Sequence, residues 1–311
     1  MPIGSLNLRE KSRRSTFSLR AKLKDLGRHE VKVALLYDRL RWEEKSILDA
    51  LKARGVEVEM VDAKLKVAVH GKMKDLGDIV LNRCLSHFRG LYWAAILETE
   101  GLRVVNSFRT LLIGGDKLLT SLELAKAKIP TPRFVVAFTV EGAMQALDEI
   151  GLPAVIKPVV GSWGRLLALL RDYENAKAIF EHREYLEPFL HNIFYIQEYV
   201  EKPSRDIRSL VVGDEVITSI YRYAPPGEWR TNIALGGRAE TCTLTDEQQE
   251  LVLRAARTIN GEIVGVDCLE SNRGLLINEI NTTVEFKGAY SATGVDIAGK
   301  IADYLIREAR R

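Results

Sequence analysis

The sequence predicts an α/β first unit with a parallel sheet, followed by an α+β remainder rich in antiparallel strands. Three observations carry this. From residue 31 to 106, apolar strand-like runs alternate with segments of helical period. Gly213-Asp214 is a two-residue turn signal between two strand-like runs. Two further apolar runs, 265–270 and 275–281, flank the turn cluster Ser271-Asn272-Arg273-Gly274.

Each element has a local reason. Residues 31–37 are the opening strand, and 43–54 are helical and stop at Gly55. Strands are expected at 56–61, 78–82 and 103–106, with a helix over 87–100 between the last two. No G-x-G-x-x-G follows the first strand, which argues against a dinucleotide there. This unit spans 31–112. A second unit, 113–193, has a helix over 116–128 ended by Ile129-Pro130-Thr131-Pro132 and a strand over 133–138. Its next helix, 139–150, is capped by Thr139 and closed by Gly151. Strands 154–157 and 166–170 and a helix over 172–184 complete it. The third unit, 194–311, has a strand over 194–200 and the hairpin 207–212/215–223. A helix then runs from the capping box Thr245/Gln248 to Asn260. The second hairpin follows, and a last helix over 295–310 is expected to be capped by Thr293.

With 311 residues the chain can bury two or three cores. Its unbroken apolar runs are a handful of residues, far short of a membrane span. Cys84, Cys242 and Cys268 are scattered among apolar neighbours, which suits buried thiols in a reduced cytoplasm. Residues 1–30 hold eight Lys/Arg against three acids. That basic leader exceeds the whole chain's formal charge of +3, so the rest is slightly acidic. Nucleic acid is therefore not implied. The leader reads as disordered or as an upstream start-site extension; a transit peptide or nucleic-acid arm is the alternative.

The acids of the second hairpin are the first chemical signal. Glu279 and Asn281 are two apart and share a strand face. A two-residue turn would pair Asp267 with Asn278 and split the acids between faces. A three-residue loop, Asn272-Arg273-Gly274, would pair Asp267 with Glu279, and this loop is the expected one. Two carboxylates and an amide oxygen then make a hard-oxygen site for Mg²⁺. A solvated hairpin face is the bland alternative. Lys157 ends an apolar strand and precedes the loop Gly161-Ser162-Trp163-Gly164-Arg165, where glycines allow backbone N–H groups to approach phosphate. It is not a Walker A sequence. A snorkelling lysine beside a surface loop fits the same residues, as a solvated first-turn lysine fits Lys117. Gln197-Glu198-Tyr199-Val200 ends a strand where two units join, a place that favours ligands. Arg208, Arg222, Arg230 and Arg238 concentrate forked cations in one unit, which suits phosphate or carboxylate.

Taken together these residues resemble the ATP-grasp ligases, from about residue 31 to the C-terminus. Lys117, Lys157, the glycine loop, Gln197-Glu198-Tyr199-Val200, Asp206-x-Arg208, Arg230-Thr231-Asn232, Asp267 and Glu279-x-Asn281 stand in that family's order. Within its RimK-like branch, three strings are similar to the LysX/ArgX enzymes. They are Tyr37-Asp38-Arg39-Leu40-Arg41-Trp42-Glu43-Glu44-Lys45, Gly161-Ser162-Trp163-Gly164-Arg165 and Asn281-Thr282-Thr283-Val284-Glu285-Phe286-Lys287.

The resemblance implies an ATP-grasp fold behind a parallel-sheet pre-ATP-grasp domain. It implies ATP and Mg²⁺ and a small acidic LysW-like carrier protein. A C-terminal glutamate of that carrier becomes an acyl phosphate and is captured by 2-aminoadipate or glutamate. Lys117, Lys157, Gly161, Ser162, Trp163 and Gly164 would hold or cover phosphates. In the segment Gln197, Glu198, Tyr199 and Val200, all of it on the cofactor, Glu198 and the backbone near Val200 would bind adenine, and Asp206 the ribose. Arg208, Arg222, Arg230, Thr231 and Asn232 would meet the transferred phosphate, with Arg208, Arg230 and Asn232 catalytic. Asp267, Glu279 and Asn281 would hold the metal. Thr282, Thr283 and Phe286 would line the amino acid pocket, and Arg39, Arg41 and Arg83, or else the last loop, would receive the acidic tail or the amino acid. A cytoplasmic homo-oligomer is expected. Leu235 stands where the family often has a basic residue; Arg230 or Arg238 would take over that charge. The competing readings are a ligase that glutamylates another protein or a cofactor, and a nucleotide-binding regulator without turnover.

Overall fold

A computed structural model describes residues 31–161, 163–186, 189–231 and 237–311. The expected leader, Ser162, Asn232 and Leu235 lie outside the described residues.

The strands are β1 (Lys32–Tyr37), β2 (Glu57–Asp62), β3 (Ile79–Asn82), β4 (Arg103–Val105), β5 (Phe134–Ala137), β6 (Ala154–Lys157) and β7 (Ala168–Leu170). They continue as β8 (Phe194–Glu198), β9 (Arg205–Val212), β10 (Glu215–Tyr223), β11 (Arg238–Cys242), β12 (Ile263–Ser271) and β13 (Gly274–Asn281). Three sheets result. The first, β2-β1-β3-β4, is parallel, as alternating strands and helices require. The second, β5-β8-β6-β7, and the third, β11-β10-β9-β12-β13, are antiparallel.

The expected elements appear within two residues of their predicted bounds. Caps explain several boundaries. Asp116 accepts from the backbone N–H groups of Leu118 and Leu119, Thr139 from Gly142, and Thr245 forms the capping box with Gln248. One cap is corrected. Asp296, not Thr293, caps the last helix, Ile297–Glu308, by accepting from Gly299 N–H. Thr293 instead ends a helix the sequence did not suggest, Lys287–Thr293. That helix is seven residues long and holds a glycine, so propensity gives it little signal. The helix Phe108–Gly114 and the edge strand β11 were likewise not anticipated.

Packing divides the molecule unequally. Val33, Leu35 and Ile79 of the first sheet share one core with Leu210, Ile220 and Ile263 of the third and with Ile301 and Leu305 of the last helix. The first and third sheets are therefore joined by common apolar burial. The middle sheet closes its own core around Ala143, Leu147, Ile156, Phe180 and Phe194. Phe180 and Phe194 meet edge to face there, 5.4 Å between ring centres. One face of the third sheet packs Val264, Val266, Cys268 and Ile277 against Val252, Ala255 and Ile259. Its other face carries the polar site. Among the described residues no helix is long and apolar enough to cross a membrane, and all three cysteines are buried and unpaired.

Candidate active site

The site is a charge ladder written across four neighbouring strands. Arg222 of β10 stands opposite Asp206 of β9; Arg208 of β9 stands opposite Asp267 of β12; Asp267 stands opposite Glu279 of β13. The side chains follow the register. Arg222 donates through Nε and Nη2 to both Asp206 oxygens at 2.7 Å. Arg208 does the same to Asp267, also at 2.7 Å. Arg222 Nη2 reaches Asp267 Oδ2 at 3.0 Å. Asn281 Nδ2 lies 3.3 Å from Asp267 and 3.4 Å from Glu279. Burial alone would raise the Asp267 carboxyl, but Arg208 and Arg222 outweigh it and hold it well below the usual range.

The pairing of Asp267 with Glu279 comes about differently from the expectation. The turn has two residues, Asn272 and Arg273, because Ser271 pairs with Gly274. The three-residue loop is thus corrected. A β-bulge at Asn278 restores the register, since Cys268 pairs with Ile277 and Asp267 with Glu279. Without it, strict alternation would turn Glu279 toward the core beside Ile277. With it, Asn278 and Glu279 both face the site, while Ile277 and Ile280 stay in the core.

Asn278 has a task there. Lys157 Nζ donates to Asn278 Oδ1 at 2.9 Å and to Gln197 Oε1 at 2.5 Å. Both acceptors are neutral. Burial pushes the Lys157 ammonium down to about 8, against the pull of Glu279. Two of its three N–H groups are occupied. Lys117 Nζ donates to Gly161 O at 2.6 Å and lies 3.9 Å from Glu279 Oε2. The glycine loop is held from a second side, because Arg230 Nη1 donates to Gly164 O at 3.2 Å. Arg230 is otherwise paired with Glu228, whose carboxyl that pairing pulls down to about 2. Trp163 Nε1 points at Glu285 Oε2, 3.4 Å away.

Several expected contacts belong elsewhere. Asp206, expected at the ribose, spends both oxygens on Arg222 and also accepts from the Thr231 hydroxyl. Gln197 is buried and its Oε1 accepts from Lys157. Glu198 ties Arg133 to the hairpin turn at Arg273. Tyr199 packs edge-on to Trp229, and Val200 joins Leu269 and Leu276 in a small apolar cluster. Arg83 is corrected outright. It is 1% exposed, donates to Glu44 at 3.1 Å and to Val284 O at 3.0 Å, and cannot receive a tail. Phe286 is likewise buried, edge-on to Trp42. Arg41 is tied to Glu44 and Glu285, and Arg39 is exposed outside the cavity.

A cavity of about 770 Å³ opens from the ladder toward the first sheet. Lys117, Gly161, Trp163, Arg208, Arg222, Glu279 and Asn281 line its charged end. Thr282, Thr283, His87 and Phe88 line other parts of its wall. The segment 282–287 is held from the first unit. Asn106 donates to Thr282 O at 2.9 Å, Thr283 to Cys84 O at 3.2 Å, and Glu43 accepts from the N–H groups of Phe286 and Lys287. Sequence reading assigned no role to Glu43, Asn106 or Asn278, whose partners are more than 100 residues away.

Asp267, Glu279 and Asn281 carry the hard oxygen donors a divalent cation takes, and they adjoin one another through the Asn281 amide Nδ2, 3.3 Å from Asp267 and 3.4 Å from Glu279. Their present partners are guanidinium and amide N–H groups, which a cation could relieve.

Comparison with known proteins agrees with this architecture. Residues 33–113 match the LysX preATP-grasp domain and residues 114–305 the RimK-like ATP-grasp domain. The glutamate–LysW ligase ArgX of Sulfurisphaera tokodaii is 36% identical over 276 residues, covering 88% of this chain and 98% of that protein. The alpha-aminoadipate–LysW ligase LysX of Sulfolobus acidocaldarius is 36% identical over 271 residues, covering 86% and 98%. A RimK domain ATP-grasp protein from Sphaerobacter thermophilus has a crystal structure of TM-score 0.74 and 28% identity, over 88% of this chain and 98% of that one. A ladder of paired arginines and acids on an antiparallel sheet, facing a lysine from a second sheet, is thus set in a chain that belongs to the RimK-like ATP-grasp family.

Proposed function

We propose that this chain is an ADP-forming ligase. It joins the side-chain carboxylate of a C-terminal glutamate, on a small acidic LysW-type carrier, to the amino group of glutamate or 2-aminoadipate. The observation that carries this is the meeting of Lys117, Arg208 and Arg222 with Glu279 and Asn281 at the charged end of one cavity, with Asp267 paired to both arginines and Lys157 bonded to Asn278 behind that wall.

The first step is attack of the carrier's carboxylate oxygen on the γ-phosphorus of ATP, with ADP leaving. The second is attack of the amine on the acyl carbon, with phosphate leaving. Phosphoryl transfer asks the protein for position and charge rather than a covalent nucleophile. Lys157 supplies its remaining N–H to a phosphate, held in aim by Gln197 and Asn278. Arg208 exchanges Asp267 for the transferred group, while Asp206 keeps Arg222 oriented. Lys117 and Arg230 hold the glycine loop over the phosphates, which excludes water from the acyl phosphate. The cluster of Val200, Leu269 and Leu276 offers adenine an apolar seat. Asp267, Glu279 and Asn281 would hold Mg²⁺, which supplies positive charge against the nucleotide's phosphates. The three sheets act as three working units in a cytoplasmic homo-oligomer, in lysine or arginine biosynthesis. Arg39 is available to an acidic carrier at the surface.

The test is intact mass. A LysW-type carrier incubated with the protein, ATP and Mg²⁺ gains the mass of one glutamate or one 2-aminoadipate residue. One methylene is worth only about 1–3 kcal/mol to a pocket, so both amines are tried. A carrier unchanged with either one removes the proposal.

A further inference from the structure

We propose that His87 is the base that takes a proton from the incoming amine. This rests on the ligase reading above and adds a residue which that reading does not use. The amine of an amino acid arrives as an ammonium at neutral pH, and an ammonium has no lone pair with which to attack. Forming the amide removes two protons from that nitrogen. One can leave with the phosphate. The other needs an acceptor, and His87 passes it on to solvent.

The walls of the cavity leave one candidate. Glu43 accepts from the backbone of Phe286 and Lys287 at 3.2 and 3.1 Å. Glu285 is engaged by Arg41 and Trp163. Glu279 stands between Asn281 and Lys117. Burial pushes the Cys84 thiol up to about 12. Lys117, Arg208, Arg222 and Lys287 are the cations of the lining, which donate hydrogen bonds and offer no acceptor. His87 is the remaining titratable group among the described lining residues.

Its placement fits. His87 opens the helix His87–Thr99, after Ser86. The ring lies over Gly115: a Cβ there would fall 2.1 Å from its Cε1 and Nδ1 atoms. A Cβ on neighbouring Gly114 would meet Thr282 Cγ2 at 2.5 Å. The glycine pair thus lets His87 and Thr282 descend beside Asp116 and Lys117, next to the charged end. Phe88 steadies the ring edge-on at 5.0 Å. The ring lines the cavity with its Nδ1 and Cε1 edge against Gly115, and neither ring nitrogen has a hydrogen-bond partner among the described residues. The charged groups facing the ring are Asp116 and Lys117. Burial lowers the imidazolium's pKa, Asp116 raises it and Lys117 lowers it again, with a net lowering that favours the neutral ring.

The test compares two nucleophiles on the same acyl phosphate. Hydroxylamine is unprotonated at neutral pH and needs no base; the amino acid does. His87→Asn and His87→Gln are expected to lose about 10²-fold in kcat/KM for the amino acid at pH 7. Carrier-dependent hydroxamate formation should stay within about twofold of wild type. Wild-type kcat/KM should level off above the imidazole's pKa, whereas the variants' should keep rising about tenfold per pH unit as free amine accumulates. Equal loss with both nucleophiles would make His87 merely structural and overturn the inference, as would unchanged amino acid ligation. A wild-type protein that makes no hydroxamate with any carrier removes the ligase reading itself, and this inference with it.

Discussion

The charge ladder and the segment 282–287 face the same cavity but are held in opposite ways. In the ladder, each charge is fixed by the residue directly across a strand: Arg222 by Asp206, Arg208 by Asp267. The segment has no regular pairing. It is suspended from Glu43, Arg83, Cys84 and Asn106, which belong to the first unit. A sheet can carry paired charges because its register fixes them locally. A loop must borrow its rigidity, and here the lender is a separate sheet. The contrast predicts that substitutions in the ladder change chemistry, whereas substitutions in the supports change stability.

The largest effect belongs to the ladder. Glu279→Gln keeps the shape and removes the charge. Its carboxylate meets the Asn281 amide at 3.4 Å and Lys117 at 3.9 Å and neighbours Asp267 within the site, and it carries no backbone of the fold. Ligation is expected to fall at least about 10²–10³-fold. Urea stability should move by no more than about 0.5 kcal/mol. Full activity in this variant would take Glu279 out of the site and end the contrast.

A support should behave in reverse. Arg83→Met strands the Glu44 carboxylate, which is completely buried. Removing one partner of a buried ion pair costs about 3–5 kcal/mol, and the lower end applies because Arg41 still donates to Glu44 at 2.7 Å. Equilibrium denaturation would show it. Molecules that remain folded should keep a normal KM for ATP; a selective rise in that KM would blur the two regions. Arg39→Ala, exposed nearby, is the control and should leave stability unchanged.

The same contrast explains what could be read in advance. The alternation of strands and helices from residue 31 made the parallel sheet legible, and the two-residue spacing of Glu279 and Asn281 put them on one face. The order of lysines, arginines and acids then carried the family. Two kinds of fact stayed hidden. One was the bulge: nothing in Leu276-Ile277-Asn278-Glu279 marks the position where alternation breaks, so the right pairing was expected from the wrong turn. The other was the roles that need a distant partner. Arg83 is a charged residue at the end of a strand and Phe286 lies between Glu285 and Lys287, yet burial between units makes both structural. Nothing in the sequence around Asp206 shows that Arg222, sixteen residues on, donates to both its oxygens.

The smallest expected effect lies where the two schemes touch, at Lys157. Its acceptors come from two sheets, Gln197 of the second and Asn278 of the third. Burial has brought its ammonium down to about 8 from an ordinary 10.5. A phosphate favours the charged form, so nucleotide binding raises this value. Below about pH 8 the lysine is already charged and binding takes up little proton. Above it, binding takes up nearly one, and affinity declines about tenfold per unit. Calorimetry at pH 7 and pH 9, in two buffers of different ionisation enthalpy, reads this directly; equal uptake at both would place the phosphates away from Lys157. Asn278→Ala then isolates the bulge. It deletes one neutral acceptor, worth about 1 kcal/mol, but leaves Gln197 and the Asp267–Glu279 pairing in place. KM for ATP should rise about fivefold with kcat nearly unchanged, because the lysine is less well aimed while the ladder is intact. A fall in kcat as large as that in Glu279→Gln would mean that the bulge residue belongs to the ladder's chemistry, and that the sheet holds its reactive charges through the irregular residue as much as through the regular ones.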